Sequence, residues 1–436
     1  GTTPASTTTR FYLSLDTELS PDDVAIGSRT VPVLASNAFS TVTSSLTIPA
    51  GTGAGTYHVI AVADAGGIAT EIDERNNTRS AGPIKIGPDL VVSSLTAPAA
   101  AAANLTIAIS DTTMNQGGGS TVLSSTTRYY LSVDGTPDGA DVFLGERTVP
   151  ALAPGASHTG GLTATIPAGT AGFYTVIAVA NATGAFAESD ATNDVKTKAG
   201  VRMGPDLMVS LLTVPVSAAL GSTISVSDTT RNAGPGNAPA STTRYYLARG
   251  TAVDADRIAL GSRNVPAIAA NASQSGSVNV TIPAGIAPGA WKVIAVADDP
   301  GLVPEVDETN NVRVQGIAIG PDLTITSMSA PASAKVGATI SVSDTTKNRG
   351  AGSAPPSATQ IYLSVDTTPT GRLLGGRAIT SPLAQGASTS GTTPVVIPAD
   401  VTPGNYFVVV AADGAAVVAE QDETNNTASA PIQIGN

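Results

Sequence analysis

Gly87-Pro88-Asp89-Leu90 returns as Gly204-Pro205-Asp206-Leu207 and as Gly320-Pro321-Asp322-Leu323, at steps of 117 and 116 residues. Other landmarks keep that step. Arg10, Tyr12 and Leu13 recur as Arg128, Tyr130 and Leu131, as Arg244, Tyr246 and Leu247, and as Gln360, Tyr362 and Leu363. An acidic and amide-rich close ends each copy: Glu71, Asp73, Glu74, Asn76 and Asn77, then Glu188, Asp190, Asn193 and Asp194. It returns as Glu305, Asp307, Glu308, Asn310 and Asn311, and as Glu420, Asp422, Glu423, Asn425 and Asn426. The chain therefore divides into four copies at 1–87, 88–204, 205–320 and 321–436. A period this long lets each copy bury its own core, unlike solenoid repeats of ~20–50 residues that depend on stacking.

Composition narrows the class. Among 436 residues, aromatics are 4% and charged residues 13%, with 45 Gly and 30 Pro, which suits many short strands joined by turns. The apolar 42% comes mainly from Ala and Val, so each core is expected to be thin. Net charge is −12 and the 22 Lys and Arg are dispersed singly, which argues against nucleic acid as a partner. No cysteine is present, excluding disulfides, zinc fingers and thiol catalysis. Apolar runs such as Val59 to Ala63 fall far short of the ~20 residues of a membrane span.

In the second copy, strands read at Leu90 to Leu95, Leu105 to Ser110, Thr127 to Val133, Val142 to Val149, Leu162 to Ile166, Tyr174 to Ala180 and Val195 to Met203, with Gly, Pro, Asn and Asp in the joints. The fold class expected is all-β: tandem immunoglobulin-like seven-stranded β-sandwich domains in a linear array, extended like a rod. Each sixth strand opens on Gly, a variable residue and an aromatic: Tyr57, Tyr174, Trp291 or Tyr406. Such sandwiches often place a corner tyrosine there, whose hydroxyl returns to the backbone upstream, a hydroxyl Trp291 lacks. Ile60 and Val62 lie opposite Tyr57, Val59 and Ala61, so both faces of that strand are apolar, suggesting contacts between copies or chains. Gly1 aligns near Gly119, so the first copy is expected to lack its first two strands and to need an upstream segment or a donated strand to complete residues 1–87.

Two readings of the acidic close stand side by side. Glu305, Asp307 and Asn310, with Glu420, Asp422 and Asn425, have the oxygen ligands calcium takes. The same residue types also make side-chain-to-backbone bonds in a tight turn ahead of a strand. A second acidic loop carries Asp16, Asp22 and Asp23, then Asp134, Asp138 and Asp141, thins to Asp254 and Asp256 and ends as Asp366 alone, the drift expected of a solvated loop. The two histidines, His58 and His158, lie in different copies with no nucleophile elbow nearby, so no enzymatic activity and no cofactor are expected.

Pro-Asp-Leu at the start, Asn115, Asn232 or Asn348 two residues before a glycine, the Tyr-Leu strand and the Glu, Asp, Glu, Asn, Asn close together resemble the cell-adhesion-related domain found in bacteria (CARDB) along the whole chain. The second copy departs at Ala191 and Asp194. The resemblance implies a secreted or surface-exposed bacterial or archaeal repeat protein with an adhesive or structural role. The expected function is a non-catalytic stalk or extracellular filament, its partners other copies of itself packed laterally or end to end. The alternative is an adhesin module that reads glycans or proteins through its loops.

Overall fold

The computed structural model describes all residues except 252–255, so Asp254 of the second acidic loop lies outside the described residues. The chain divides into two compact units, Gly1–Met203 and Gly204–Asn436. In the first unit, β1 (Thr7–Ser14), β2 (Val24–Val31), β3 (Gly55–Val62) and β4 (Thr78–Ile86) make the first copy. The second copy holds β5 (Leu90–Thr96), β6 (Ala100–Ala101), β7 (Thr106–Asn115), β8 (Ser125–Ser132), β9 (Val142–Val149), β10 (Ser157–Thr165), β11 (Gly172–Val179) and β12 (Val195–Met203).

The second unit repeats this eight-strand series twice. It holds β13 (Leu207–Thr213), β14 (Ser217–Ala218), β15 (Thr223–Asn232), β16 (Ser241–Ala248), β17 (Ile258–Val265), β18 (Ser273–Thr281), β19 (Gly289–Val296) and β20 (Val312–Ile319). The fourth copy follows with β21 (Leu323–Ser329), β22 (Ser333–Lys335), β23 (Thr339–Asn348), β24 (Ser357–Ser364), β25 (Arg372–Ile379), β26 (Ser388–Val396), β27 (Gly404–Ala411) and β28 (Thr427–Gly435).

Each complete copy is a sandwich. In the second, β10-β7-β5 face β6-β12-β11-β8-β9, and the third and fourth keep the same two orders. The seven long strands are those the sequence outlines. The short β6, β14 and β22 add a parallel pairing at the edge of the larger sheet. The pleat puts alternate residues of β7 inside, so Ile107, Ile109, Asp111, Thr113 and Asn115 all face the core. Its apolar part includes Leu90, Leu131, Ile166, Val176 and Met203, each worth ~1.5–3 kcal/mol when buried.

The first copy departs further than the sequence suggests. Only the sheet β2-β1-β3-β4 forms, and no strand is assigned between Val31 and Gly55, where β10 lies in the second copy. A whole sheet is missing rather than two strands. The reason is pairing: β10 takes its ladder from β7 over nine residues, and a segment with no β7 beside it has nothing to bond to. Ile48 shows the cost, being 37% exposed where Ile166, Ile282 and Ile397 are fully buried.

Two features of the sixth strand are set by packing within each copy. Trp291 replaces the corner hydroxyl with its indole: Nε1–H donates to the Ala287 carbonyl at 3.0 Å, while the Tyr57 and Tyr406 hydroxyls donate to Gly53 and Thr402, also four residues upstream. Trp291→Phe is expected to lose this bond together with part of the indole's packing in the core and against Arg249, lowering stability by about 2–3 kcal/mol in denaturant unfolding, with Trp291→Tyr losing less because its hydroxyl can reach the same carbonyl. The apolar outer face of the sixth strand is covered from within each copy. Tyr12, Tyr130, Tyr246 and Tyr362 stand opposite Ile60, Ile177, Ile294 and Val409 in register. In the third copy Tyr246, Ala248 and Ile294 form a cluster of their own.

Candidate functional site

The three complete copies build the same polar constellation where the chain enters. Asn232 ends β15 fully buried, and its Oδ1 accepts the amides of Asp206 and Gly234, while Nδ2 donates to the carbonyls of Gly236 and Ile268. Asn115 and Asn348 make the equivalent bonds. The glycine two residues on is there for closeness: a Cβ on Gly234 would lie 2.5 Å from the Gly204 carbonyl oxygen, and Gly117 and Gly350 are as tight. The Asn-x-Gly spacing is thus a clamp on the entering Pro-Asp-Leu.

The acidic close grips that segment from the other side. The Glu305 carboxylate accepts the Leu207 amide, as Glu420 and Glu188 accept those of Leu323 and Leu90. Asn310 Nδ2 donates to Asp206 at 2.8 Å, and Asn425 to Asp322 at 2.9 Å. The residue after the glutamate closes a main-chain bond: Val306 N donates to the Pro205 carbonyl and Gln421 N to that of Pro321. Asp307 accepts the amide and hydroxyl of Thr309 at 2.9 and 2.6 Å, and Asp422 does the same with Thr424. Those bonds, led by the threonine hydroxyl, hold both aspartates below the usual carboxylate range.

Of the six calcium candidates, four therefore hold the entering strand and two cap a turn. Among the described residues, no group of three or more His, Cys, Asp or Glu side chains is arranged to hold a metal ion. Burial pushes the Glu305 and Glu420 carboxyls up to about 8, with help from Glu308 and Glu423 nearby. In the second copy Asp194 stands in place of Asn311, and burial, then the Glu188 charge, push it up to about 7. In the second acidic loop, Asp16, Asp134 and Asp366 accept the amides of Glu18, Thr136 and Thr368, which are turn bonds.

A second constellation escaped the sequence reading. Asp111 on β7 is fully enclosed and takes Arg147 of β9 in a two-pronged bond at 2.6 and 2.7 Å, together with the hydroxyl of Tyr129 on β8. The third copy repeats it with Asp228, Arg263 and Tyr245, and the fourth keeps Asp344 and Arg377 but carries Ile361 in place of the tyrosine. Thr113 and Thr127 add a hydroxyl pair at 3.0 Å, matched by Thr230 with Thr243 and Thr346 with Thr359. His158 Nδ1 lies 2.9 Å from Arg147, so it packs in this network. The signal was present as Ser-Asp-Thr-Thr at residues 110–113, 227–230 and 343–346, one full step apart. An aspartate on a β-strand is otherwise poorly placed, and only a partner across the sandwich explains it.

Comparison with known proteins agrees with the repeat. The CARDB domain family matches residues 3–81, 87–198, 204–315 and 320–430. No curated protein matches the chain. Among solved structures, the CARDB domain of a Pyrococcus furiosus protein, crystallised in complex with di-metal ions, is 21% identical over 26% of this chain and 89% of that one, with a TM-score of 0.22. A solution structure of the same domain gives 23% identity over 26% and 94%, with a TM-score of 0.21. Red sea bream transglutaminase is 13% identical over 52% of this chain and 32% of that one, at a TM-score of 0.29. The repeats are of a surface- or adhesion-related type, and this chain, matched along nearly its whole length, belongs to the CARDB family.

Proposed function

We propose that the chain is a non-catalytic structural and adhesive repeat protein of the bacterial or archaeal cell surface, the shaft of a stalk or the body of an extracellular filament assembled from copies of itself. What supports this reading is where the repeated polar residues are spent. The asparagine clamp, the acidic close and the Asp–Arg pair are each used three times over to hold entering strand to sandwich and sheet to sheet. Residues repeated for function in a binding array would present free groups in each copy, and these are engaged inside the fold. No cofactor enters the reading.

One feature of the second copy favours adhesion through a dedicated site. Tyr130 and Phe143 pack with ring centroids 5.7 Å apart on the outer face of the larger sheet, Arg128 sits over the Phe143 ring, and Arg128 pairs with Glu146 at 2.8 Å. Phe143 is 53% exposed, and the same position is Ala25, Ala259 or Leu373 elsewhere, so the fold itself does not need this ring. Exposed rings flanked by a charged pair suit the apolar face and hydroxyls of a sugar. Negative-stain microscopy of the purified chain separates the two readings. Uniform long fibres are the expected result, whereas monodisperse short rods that bind polysaccharide and lose it on Phe143→Ala support the adhesin module.

A further inference from the structure

The second copy differs from the third and fourth around its acidic close by an exchange of two residues. The third and fourth carry Asp298 and Asp413 in the turn after the sixth strand, and Asn311 and Asn426 just ahead of the last strand. The second carries Asn181 and Asp194 at those two places. Each trio formed with the glutamate between them holds two carboxyls, but in the second copy one of them has crossed to the other side. On the first side the main chain satisfies it: Asp298 accepts the Val303 amide and Asp413 the Val418 amide, both at 2.7 Å. On the second side it meets another acid. Asn311 and Asn426 give Nδ2 to the Glu305 and Glu420 carboxylates at 3.3 and 3.2 Å. An ionised Asp194 has no hydrogen to give, and its Oδ1 and the Glu188 Oε1 are both buried without a partner.

The charged groups around this pair are Asp89 of the entering segment, Asp190 of the same turn, and Lys85 of β4, which is bonded to both of those aspartates at 2.8 and 3.4 Å. Gln116, just after β7, gives its amide to Asp89 at 3.2 Å, and Asn181 gives its own to the Phe186 carbonyl at 2.9 Å. Two buried carboxylates with no donor between them repel, whereas one shared proton makes the same two groups a donor and an acceptor. In the third and fourth copies the asparagine serves either state, turning its nitrogen to a carboxylate or its oxygen to a carboxyl. The second copy has a match in the protonated state alone.

We propose that Glu188 and Asp194 share a proton, and that this proton latches the entering strand β5 onto the second copy, so that with rising pH this copy frees its first strand ahead of the third and fourth. Glu188 accepts the Leu90 amide at the start of β5, and the next residue, Ser189, donates its N–H to the Pro88 carbonyl. Repulsion between the two carboxylates therefore acts on the bonds that hold the entry of the strand. β5 lies at the edge of its sheet and bonds only to β7, so it can open without breaking the other ladders. Burial first, then the Glu188 charge, raise the Asp194 carboxyl from 3.8 to about 7, and burial raises Glu188 as well. A folded-state value above the unfolded one gives stability that is complete below the unfolded value and is lost as pH rises through the folded one, here below the value of about 8 for Glu305 and Glu420.

The test is hydrogen–deuterium exchange on the whole chain at pH 6 and pH 8, corrected for the intrinsic rate, with residues 205–213 and 321–329 as references for residues 88–96 in the same molecule. Protection of 88–96 is expected to fall about tenfold between the two conditions, against about twofold for the references. Asp194→Asn installs the residue that the third and fourth copies already fold with, and is expected to bring the fall at 88–96 to about twofold. Asn181→Asp combined with Asp194→Asn rebuilds the third copy's arrangement and is expected to do the same. An equal pH response of all three segments in the wild-type chain overturns the proposal, as does a tenfold fall that survives Asp194→Asn. So does a fall that millimolar calcium or magnesium abolishes, because a metal ion rather than a proton would then join the pair.

Discussion

Asp228→Ala is expected to destabilise the third copy by about 3–5 kcal/mol, because it strands the Arg263 guanidinium in the sandwich without a counter-charge. Arg263 is only 11% exposed at its side chain and gives two of its donors to Asp228 at 2.8 and 2.6 Å. The Tyr245 hydroxyl, at 2.5 Å from the same carboxylate, loses its acceptor as well. Removing both charges at once, as Asp228→Leu with Arg263→Met, is expected to restore most of the loss, since a well-packed apolar pair carries no desolvation cost. The first copy supplies a control: among the described residues Arg29 bonds Ser40 and faces no aspartate, so Arg29→Ala is expected to change little. Denaturant unfolding followed by Trp291 fluorescence reads the third copy specifically, as this is the chain's one tryptophan and belongs to that core. A loss below about 1 kcal/mol for Asp228→Ala would show that the pair is no cross-sheet tie.

The complete copies are expected to be more stable near pH 5 than near pH 9. Glu305 and Glu420 are each 5% exposed, and burial raises their carboxyls to about 8 from an ordinary value of 4.5. A folded-state value above the unfolded one means the folded copy binds the proton more tightly. The stabilisation is full below about pH 4.5 and is lost as pH rises through about 8, on the order of several kcal/mol per copy across that window. The structure suits the protonated form: Asn311 and Asn426 each leave Oδ1 without a partner while Nδ2 faces the glutamate, and turning the amide lets a carboxyl proton donate to that oxygen. Glu305→Gln keeps an oxygen for the Leu207 amide and is expected to flatten the pH dependence of the third copy. Thermal unfolding from pH 4 to pH 9 checks it; a melting temperature that rises over that range in the wild-type chain contradicts the assignment.

Most of the fold was legible because repetition made it so. A landmark appearing three or four times at one step carries information that a single strand pattern does not, and Pro-Asp-Leu, the Tyr-Leu strand and the acidic close marked the copies unaided. The acidic close left two readings open because calcium ligands and turn residues are the same chemical types. What distinguishes them is the partner, and Leu207 and Glu305 are 98 residues apart. The Asp–Arg pair was hidden for the same reason, since its two sides lie on different sheets and neither residue looks unusual alone.

By itself, then, the sequence determined the number of copies, the strand periodicity and the residues that mark each repeat, all of which are local or periodic properties. The tertiary structure alone decided what those residues hold. It turned Asn-x-Gly into a clamp on Pro-Asp-Leu, the acidic close into the opposite jaw, and an aspartate on a strand into a tie between sheets. It also showed that the first copy lacks a whole sheet, because a strand's hydrogen bonds are satisfied only by the neighbour beside it in space.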